Sequence, residues 1–541
     1  MKKIIFAVLL LISLIFLSPF HANVFADIAY TDGFGKLKIS SVQPSVGILD
    51  PTFGNNGVVS TPVGSGNAVA QAVAVQPDGK IIAAGFANNG SNNDFAILRY
   101  NPDGTLDDTF RGDSPIGTGV ILTPIGLSDD EAFGITLQDD GKIIAVGQSR
   151  NGTKTDVAVV RCNPDGTLDN TFDVDGLMTV SPSVGSALAR SVDVQADGRI
   201  VVAGVGNNGS NFDNVVIRLM PDGSLDPAFV GNSGTGNGIV ITTVGAGNEQ
   251  AYAVSVLPSG KILVAGYFAA AVSNDTVLLR HESDGRLDST FGVGGIAVHS
   301  FSPDSTDEAL SMALQPDGRI VIAGCIRTPG IANDFLIARF EENGSRDTAF
   351  GNGGFLVVPF GSLADIASGV AIQADGKIVA VGFGNNGIDT DYAVTRVNTD
   401  GTFDSAFGNG GRLLTMVGQS FDAANAVALQ SNGRIVVAGR TASNVANIGI
   451  VRYVASAASI SGRVLTPAGR GLGKARVNLI DAQGVSRAAT TSTFGYYKFE
   501  NIAVGQTYSI NVSSKIYEFM PLQIAVNDSL ADVDFVGMER R

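Results

Sequence analysis

Val75-Gln76-Pro77-Asp78-Gly79-Lys80-Ile81-Ile82-Ala83-Ala84-Gly85 is two apolar runs separated by an Asp-Gly pair. Glycine accepts the positive φ that a tight turn between right-twisting strands demands, so the stretch reads as a β-hairpin. The pattern returns at Asp140-Gly141-Lys142-Ile143, Asp197-Gly198-Arg199-Ile200, Ser259-Gly260-Lys261-Ile262, Asp317-Gly318-Arg319-Ile320, Asp375-Gly376-Lys377-Ile378 and Asn432-Gly433-Arg434-Ile435. Successive turn glycines lie 57 to 62 residues apart, which makes seven units.

A second landmark keeps step: Leu49/Asp50/Phe53, Leu106/Asp107/Phe110, Leu168/Asp169/Phe172, Leu225/Asp226/Phe229, Leu287/Asp288/Phe291, Asp347/Phe350 and Asp404/Phe407. Between hairpin and landmark lies a further apolar run and turn, as in Phe95-Ala96-Ile97-Leu98-Arg99-Tyr100-Asn101-Pro102-Asp103-Gly104. Each unit therefore offers four short strands, in the first unit near 57–62, 70–76, 80–86 and 95–100. One such sheet cannot bury both its faces alone, so the units must stack. Radial closure does this and leaves short, protected edges, whereas a β-solenoid usually has shorter coils. The expected fold is all-β: a seven-bladed β-propeller over 49–454, a small-residue linker over 455–459 and a small β-sandwich over 460–541.

The Leu-Asp-x-x-Phe-Gly, Pro-Asp-Gly-Lys-Ile-Ile-Ala-Ala-Gly and Asp-Phe-Ala-Ile-Leu-Arg-Tyr-Asn-Pro-Asp-Gly-Thr-Leu-Asp motifs together resemble the delta-60 repeat of secreted and surface bacterial proteins. That resemblance covers about three quarters of the chain and implies a propeller-like array whose biochemical role is poorly defined. The last unit departs from it, since no Pro-Asp-Gly turn follows Arg452-Tyr453, as expected for a terminal repeat. After the linker, Ser461-Gly462-Arg463-Val464, Gly473-Lys474-Ala475-Arg476-Val477 and Thr493-Phe494-Gly495-Tyr496-Tyr497-Lys498-Phe499 resemble the carboxypeptidase regulatory-like domain, a transthyretin-like sandwich. In that family the sandwich accompanies a separate catalytic domain, so the resemblance implies no peptidase activity.

The 541 residues include 68 Gly and no Trp and carry a formal charge of -15, with no basic run beyond the first three residues. Nucleic-acid binding needs a basic stripe, and the sequence offers none. Met1-Lys2-Lys3, the apolar run over 4–17 and Val24-Phe25-Ala26 read as a signal peptide over 1–26, because the run is short for spanning a bilayer. An exported protein, extracellular or periplasmic and free of the membrane after cleavage, is expected. Residues 27–48 form an approach segment that could add a closing strand. Cys162 and Cys325 occupy non-equivalent places in different units and are expected to be two buried thiols rather than a disulfide.

No catalytic constellation is evident. His281 and His299 lack any zinc-ligand spacing, and His21 leaves with the leader. A Gly-x-Ser-x-Gly elbow is absent, and Gly234-Thr235-Gly236-Asn237-Gly238 precedes a strand rather than a helix. Arg99, Arg161, Arg218, Arg280, Arg339, Arg396 and Arg452 recur, five residues after an Asp in six units and after Asn447 in the last. An offset of five puts those two side chains on opposite faces of a strand. The arginines are therefore expected to reach another carboxylate, that of Leu-Asp, as structural ion pairs; the functional alternative is an arginine ring around the channel. Asn101, Asp103 and Asp107, with Asn163, Asp165 and Asp169, present oxygens around a glycine somewhat like a calcium loop, though turn chemistry accounts for them as well. No other cofactor is expected. The loops at 87–93, 206–211 and 384–387 are the expected seat of specificity.

These readings converge on an exported, non-enzymatic binding or adhesion scaffold whose partner is an extracellular glycan or protein. The alternative is a propeller enzyme acting on extracellular polysaccharide. Such an enzyme would break the repeat symmetry with a few unique residues at the channel.

Overall fold

A computed structural model describes residues 49–540 apart from 113–116, 235, 271–272, 331, 443–444, 455–457, 482–483, 503–505 and 527–529, and before them residues 30–31 and 37–38. The chain divides into one unit over residues 1–44 and another over 45–541. In the first, Tyr30–Thr31 pairs antiparallel with Leu37–Lys38; the leader-like segment over 1–26 lies outside the described residues.

The second unit is a β-propeller followed by a β-sandwich. Among its described residues, seven four-stranded antiparallel sheets follow one another through the repeat region. In the first sheet the order from the inside out is Ala68–Val75, Ile81–Asn88, Asn93–Tyr100 and Val120–Thr123. The opening hairpin pairs Val75 with Ile81. Its turn places Gly79 at φ +85°, with the Gly79 amide donating to the Gln76 carbonyl, so the Asp-Gly pair closes the hairpin as expected.

The second strand of each sheet is apolar on both faces because both are covered. Ile81 and Ala83 pack against the last sheet, through Val436, Ala438, Ile448 and Ile450, while Ile82 and Ala84 pack against the next, through Ile143 and Ala145. Burying one such isoleucine contributes roughly 1.5–3 kcal/mol. Packing of the last sheet on the first makes the array a closed ring.

Strand grouping differs from the sequence reading in one respect. The run that opens each unit pairs backwards: Val120–Thr123 is the outermost strand of the first sheet, and Val58–Thr61 pairs with Ile448–Val451 as the outermost strand of the last. Val58–Thr61 supplies the outermost strand of that last sheet; of the 27–48 segment, which could add a closing strand, only 30–31 and 37–38 are among the described residues. Likewise the last unit is divided rather than truncated. Leu49 bridges Tyr453 as Leu106 bridges Tyr100, so the Leu-Asp-x-x-Phe landmark of that unit is residues 49–53 from the other end of the ring. Closure demands this arrangement, since a final sheet built from adjacent residues alone would leave a bare edge.

The C-terminal region has a three-stranded sheet of Tyr496–Ile502, Ala458–Leu465 and Phe535–Val536, and a four-stranded one of Ser486–Thr490, Arg476–Ile480, Gln506–Ser513 and Leu522–Val526. Ile460, Val464, Val477, Leu479, Tyr497, Phe499, Ile510 and Val526 form its core. The sequence missed Ser486–Thr490 because this edge strand is nearly all exposed and shows no apolar alternation. The first strand also begins at Ala458, inside the segment read as linker, of which 455–457 lie outside the described residues.

Candidate functional site

The seven recurring arginines are buried away from the channel. Each donates to the Asp of its Leu-Asp landmark: Arg99 to Asp107 at 2.6 Å, Arg161 to Asp169 at 2.7 Å, Arg218 to Asp226 at 2.8 Å, Arg280 to Asp288 at 2.6 Å, Arg339 to Asp347 at 2.7 Å, Arg396 to Asp404 at 2.8 Å and Arg452 to Asp50 at 2.9 Å. Each guanidinium lies 4.5–4.7 Å over the landmark Phe ring. Several also reach a carbonyl in the turn of the following sheet, as Arg161 does at Pro221 and Arg452 at Pro102. The same Asp takes a second cation from the hairpin, Lys80 on Asp107 at 2.8 Å and Arg434 on Asp50 at 2.6 Å, which explains the basic residue after each Asp-Gly. An arginine ring open to a channel ligand is therefore ruled out by burial.

The oxygen-rich turns are occupied by their own hydrogen bonds. Asp103 accepts from the Thr105 amide and hydroxyl, Asp165 from those of Thr167, and Asn101 and Asn163 donate to the Thr105 and Thr167 hydroxyls. Asp107 and Asp169 belong to the ion pairs. Among the described residues no group of three or more His, Cys, Asp or Glu side chains is disposed to hold a metal ion.

The asparagine loops are shaped by hydrogen bonds within the protein. Asn89 donates to Asp94 at 2.8 Å and accepts from the Ser91 amide, and Asn208 with Asp213 and Asn386 with Asp391 repeat the arrangement. In these three repeats this is the role of the Asp placed five residues before the Arg. Asn89, Asn208 and Asn386 shape their loops while standing exposed.

Both histidines are packing residues. His281 is buried with Nδ1 3.0 Å from the Gly285 carbonyl, and His299 Nε2 lies 2.9 Å from that of Gly344. Cys162 and Cys325 are buried thiols without a disulfide between them. Burial, with the nearby charges of Glu308 and Asp307, pushes the Cys325 thiol up to about 12.

Repeat symmetry is abandoned in the central channel. A cavity of about 330 Å³ is lined by three consecutive residues from the innermost strand of each of the seven sheets, which places it on the ring axis. All seven strands bulge at the first of these residues, between Ala70 and Ala72 and at the equivalent places. An extra residue at a bulge re-aims a side chain, and bulges are frequent beside active sites. The seven bulge residues are Gln71, Phe133, Arg190, Tyr252, Leu310, Ser368 and Asn425, all different. Two residues further on, the ring is Val73, Ile135, Val192, Val254, Met312, Val370 and Val427, aliphatic apart from its methionine. One level is architecture; the other is individual.

The bulges explain the glycine that ends each hairpin. At Gly85, Gly147, Gly204, Gly266, Gly324, Gly382 and Gly439 an added Cβ would sit 1.8–2.0 Å from the carbonyl oxygen that the facing bulge pushes toward it. Gly266→Ala, against the Gln250 carbonyl beside Tyr252, is expected to cost about 1–3 kcal/mol by overpacking. A urea midpoint equal to that of the wild type would contradict this.

Arg190 stands at the centre of the individual level. Its guanidinium lies 4.9 Å from the Phe133 ring centroid and 5.0 Å from that of Tyr252, and Tyr252 stacks on Tyr267 at 5.9 Å. Burial raises the Tyr252 hydroxyl and Glu308 raises it further, whereas the Arg190 charge and a hydrogen bond with Tyr267 act to lower it. Tyr267 is likewise raised, by burial first and then by Tyr252. Glu308 itself accepts from Asn274 at 2.6 Å and borders a polar cleft of about 360 Å³ with Ser273, Asn274, Thr306, Arg327 and Asn333. No local signal in the sequence marks this set, because each residue comes from a different repeat; aligning the repeats at the Ala before each bulge would have exposed it.

Comparison with known proteins follows the same division. Six stretches, 76–110, 138–172, 195–229, 257–291, 315–350 and 373–407, match the family described as domain of unknown function (DUF5122) beta-propeller, and 459–535 match the carboxypeptidase regulatory-like domain. Each propeller match runs from hairpin to landmark Phe, so the divided seventh unit falls outside them. No curated protein sequence matches the chain. Among solved structures, a PL25 ulvan lyase is similar at 13% identity over 74% of this chain and 96% of its own, with a TM-score of 0.44. Chaetomium thermophilum Sqt1 bound to the N-terminus of ribosomal protein L10 is similar at 14% identity over 76% and 100%, with a TM-score of 0.36. Drosophila Semaphorin 2a is similar at 8% identity over 89% and 98%, with a TM-score of 0.38. At these identities the likeness concerns the fold. The expectation of a non-enzymatic protein is withdrawn, because a search for local motifs is no ground for excluding catalysis on a ring whose channel lining is assembled from single residues of separate repeats.

Proposed function

For a chain whose repeats match the DUF5122 β-propeller model and whose C-terminal region matches the carboxypeptidase regulatory-like domain, we propose that the channel at the level of the bulges binds an extracellular polysaccharide and that the protein acts on it there. The observation that carries this reading is the loss of repeat symmetry at the seven bulges, where side chains of seven different types face a cavity whose next levels are small and then aliphatic apart from Met312. A ligand pocket combines apolar and aromatic faces with a few placed polar groups. Phe133 and Tyr252 offer the faces, and Gln71, Ser368 and Arg190 the polar groups, while Asn425 is committed to the Ala70 carbonyl at 2.8 Å. Tyr252, joined to Tyr267, is the group placed to exchange a proton with a bound sugar. The signal-peptide pattern of 1–26 supports a site of action outside the cytoplasm.

The test is incubation of the chain from Asp27 onward with a panel of polysaccharides, recording retention and released fragments. Retention with time-dependent fragments is expected. Tyr252→Phe is expected to keep retention while fragment release falls about 10²–10⁴-fold, the usual contribution of a general acid or base. Release at the wild-type rate would remove Tyr252 from the chemistry, and absence of both retention and release across the panel would overturn the site.

A further inference from the structure

Resting on the carbohydrate reading above, we infer that the polysaccharide is anionic and that Arg190 holds its acidic oxygens. The seven repeat arginines each have a carboxylate partner, whereas Arg190 has neither an ion pair nor a side-chain hydrogen bond among the described residues, and its Nε is buried without an acceptor. The guanidinium is partly buried in the cavity wall with no counter-charge from the protein paired to it. In a chain with 51 acidic residues, a neighbouring carboxylate would have been easy to provide. None stands at this level, since the other six bulge residues are uncharged.

The nearest acids on adjoining positions are engaged. Asp193, three residues on, accepts the Val256 and Val194 amides at 2.8 Å each, and Glu308 is held by Asn274. The guanidinium lies within 5.0 Å of both the Phe133 and the Tyr252 ring centroids. A guanidinium offers a fork of parallel N–H donors matched to two oxygens of one carboxylate or sulfate. A neutral sugar would leave the fork unmatched.

The experiment is calorimetric titration of the full chain with three oligosaccharides of equal length, one uronate-rich, one sulfated but free of uronate and one neutral and unsubstituted, alongside sodium sulfate. Arg190→Gln, which keeps the side chain's length without its charge, and Arg190→Lys are compared with the wild type. The wild type is expected to prefer an acidic oligosaccharide to the neutral one by about 30-fold or more, as for a desolvated charge pair. Arg190→Gln should remove that preference, and Arg190→Lys should restore part of it. Equal wild-type affinity for acidic and neutral probes, or an Arg190→Gln variant that binds the acidic probe as tightly as the wild type, overturns the inference and leaves the carbohydrate reading standing. Binding of sulfate that depends on Arg190, with no oligosaccharide bound, supports the anion site and overturns the carbohydrate reading instead. Which of the two acidic probes binds identifies the group. An unchanged melting temperature of Arg190→Gln secures these comparisons, because Arg190 has no polar partner in the protein to lose.

Discussion

Asp50→Asn is expected to lower the stability of the ring by about 3–5 kcal/mol, the usual cost of removing one member of a buried ion pair. Asp50 is fully buried and accepts from Arg452 at 2.9 Å, Arg434 at 2.6 Å and Thr52. The substitution strands two arginines at once, one of them buried. The local chemistry matches that of Asp226 with Arg218 and Arg199, but the Asp50 partners lie at the opposite end of the repeat region. Loss there loosens closure as well as one sheet. Deleting 49–61 is expected to go further and abolish a single cooperative transition, because Ile448–Val451 then offers an unpaired edge to other chains. The check is a urea midpoint for Asp50→Asn and the oligomeric state of the deletion. A midpoint within 0.5 kcal/mol of wild type, the range of ordinary surface changes, would show that these contacts do not hold the ring.

Stability is expected to rise slightly on acidification from neutral pH toward about 4 and to collapse below it. Two groups of carboxylates act in opposite senses. Burial raises Asp193, Glu249, Asp307 and Asp391 above their ordinary values. Their contribution is fully present below the unfolded value and is lost as pH rises through the folded one. The landmark acids behave oppositely. Burial opposes their charge, yet hydrogen bonds from Lys80 and Thr109, with the Arg99 charge, hold Asp107 well below the ordinary value. Asp169 is held at about 2 in the same way by Thr171, Lys142 and Arg161. Asp50, Asp288, Asp347 and Asp404 are lowered too. Their contribution is present above the unfolded value near 3.8 and is lost as pH falls through the folded value. Each can change stability by up to about 1.4 kcal/mol per pH unit in that window, and six acting together make the fall steep. Denaturant midpoints from pH 7 to pH 2.5 would follow both limbs. A midpoint flat from pH 4 to 2.5 would contradict the coupling of these ion pairs to folding.

The fold was legible because its signals are local and repeated. Asp-Gly with flanking apolar runs fixes a hairpin wherever it occurs, and the landmark Asp was foreseeable as partner to the arginine once the preceding Asp was seen to face the other way. What escaped was whatever depends on closure. Leu49-Asp50-Pro51-Thr52-Phe53 looks like the start of the first unit, and only the pairing with Tyr453 shows that it completes the last. The channel residues escaped for a related reason: Phe133, Arg190 and Tyr252 sit one per repeat, with ordinary neighbours, and become a set when the ring brings them together. In the asparagine loops, Asn and Ser are equally the residues of display and of tight turns, and the sequence did not show that Asp94, Asp213 and Asp391 accept from Asn89, Asn208 and Asn386.

The divided seventh unit also sets a timetable for synthesis. Asp50 and Arg452 are 402 positions apart, so a growing chain makes the strand Val58–Thr61 first and its partner Ile448–Val451 nearly last. The intervening sheets can assemble in order as each hairpin emerges, since each draws its strands from nearby sequence. Throughout that interval the early strand carries an unmatched set of amides and carbonyls, a template for association with other chains. A chain released before Tyr453 would keep that template indefinitely, whereas a finished one hides it in a single step. The ring thus certifies its own completion: the bond that closes it is the last that the repeat region permits.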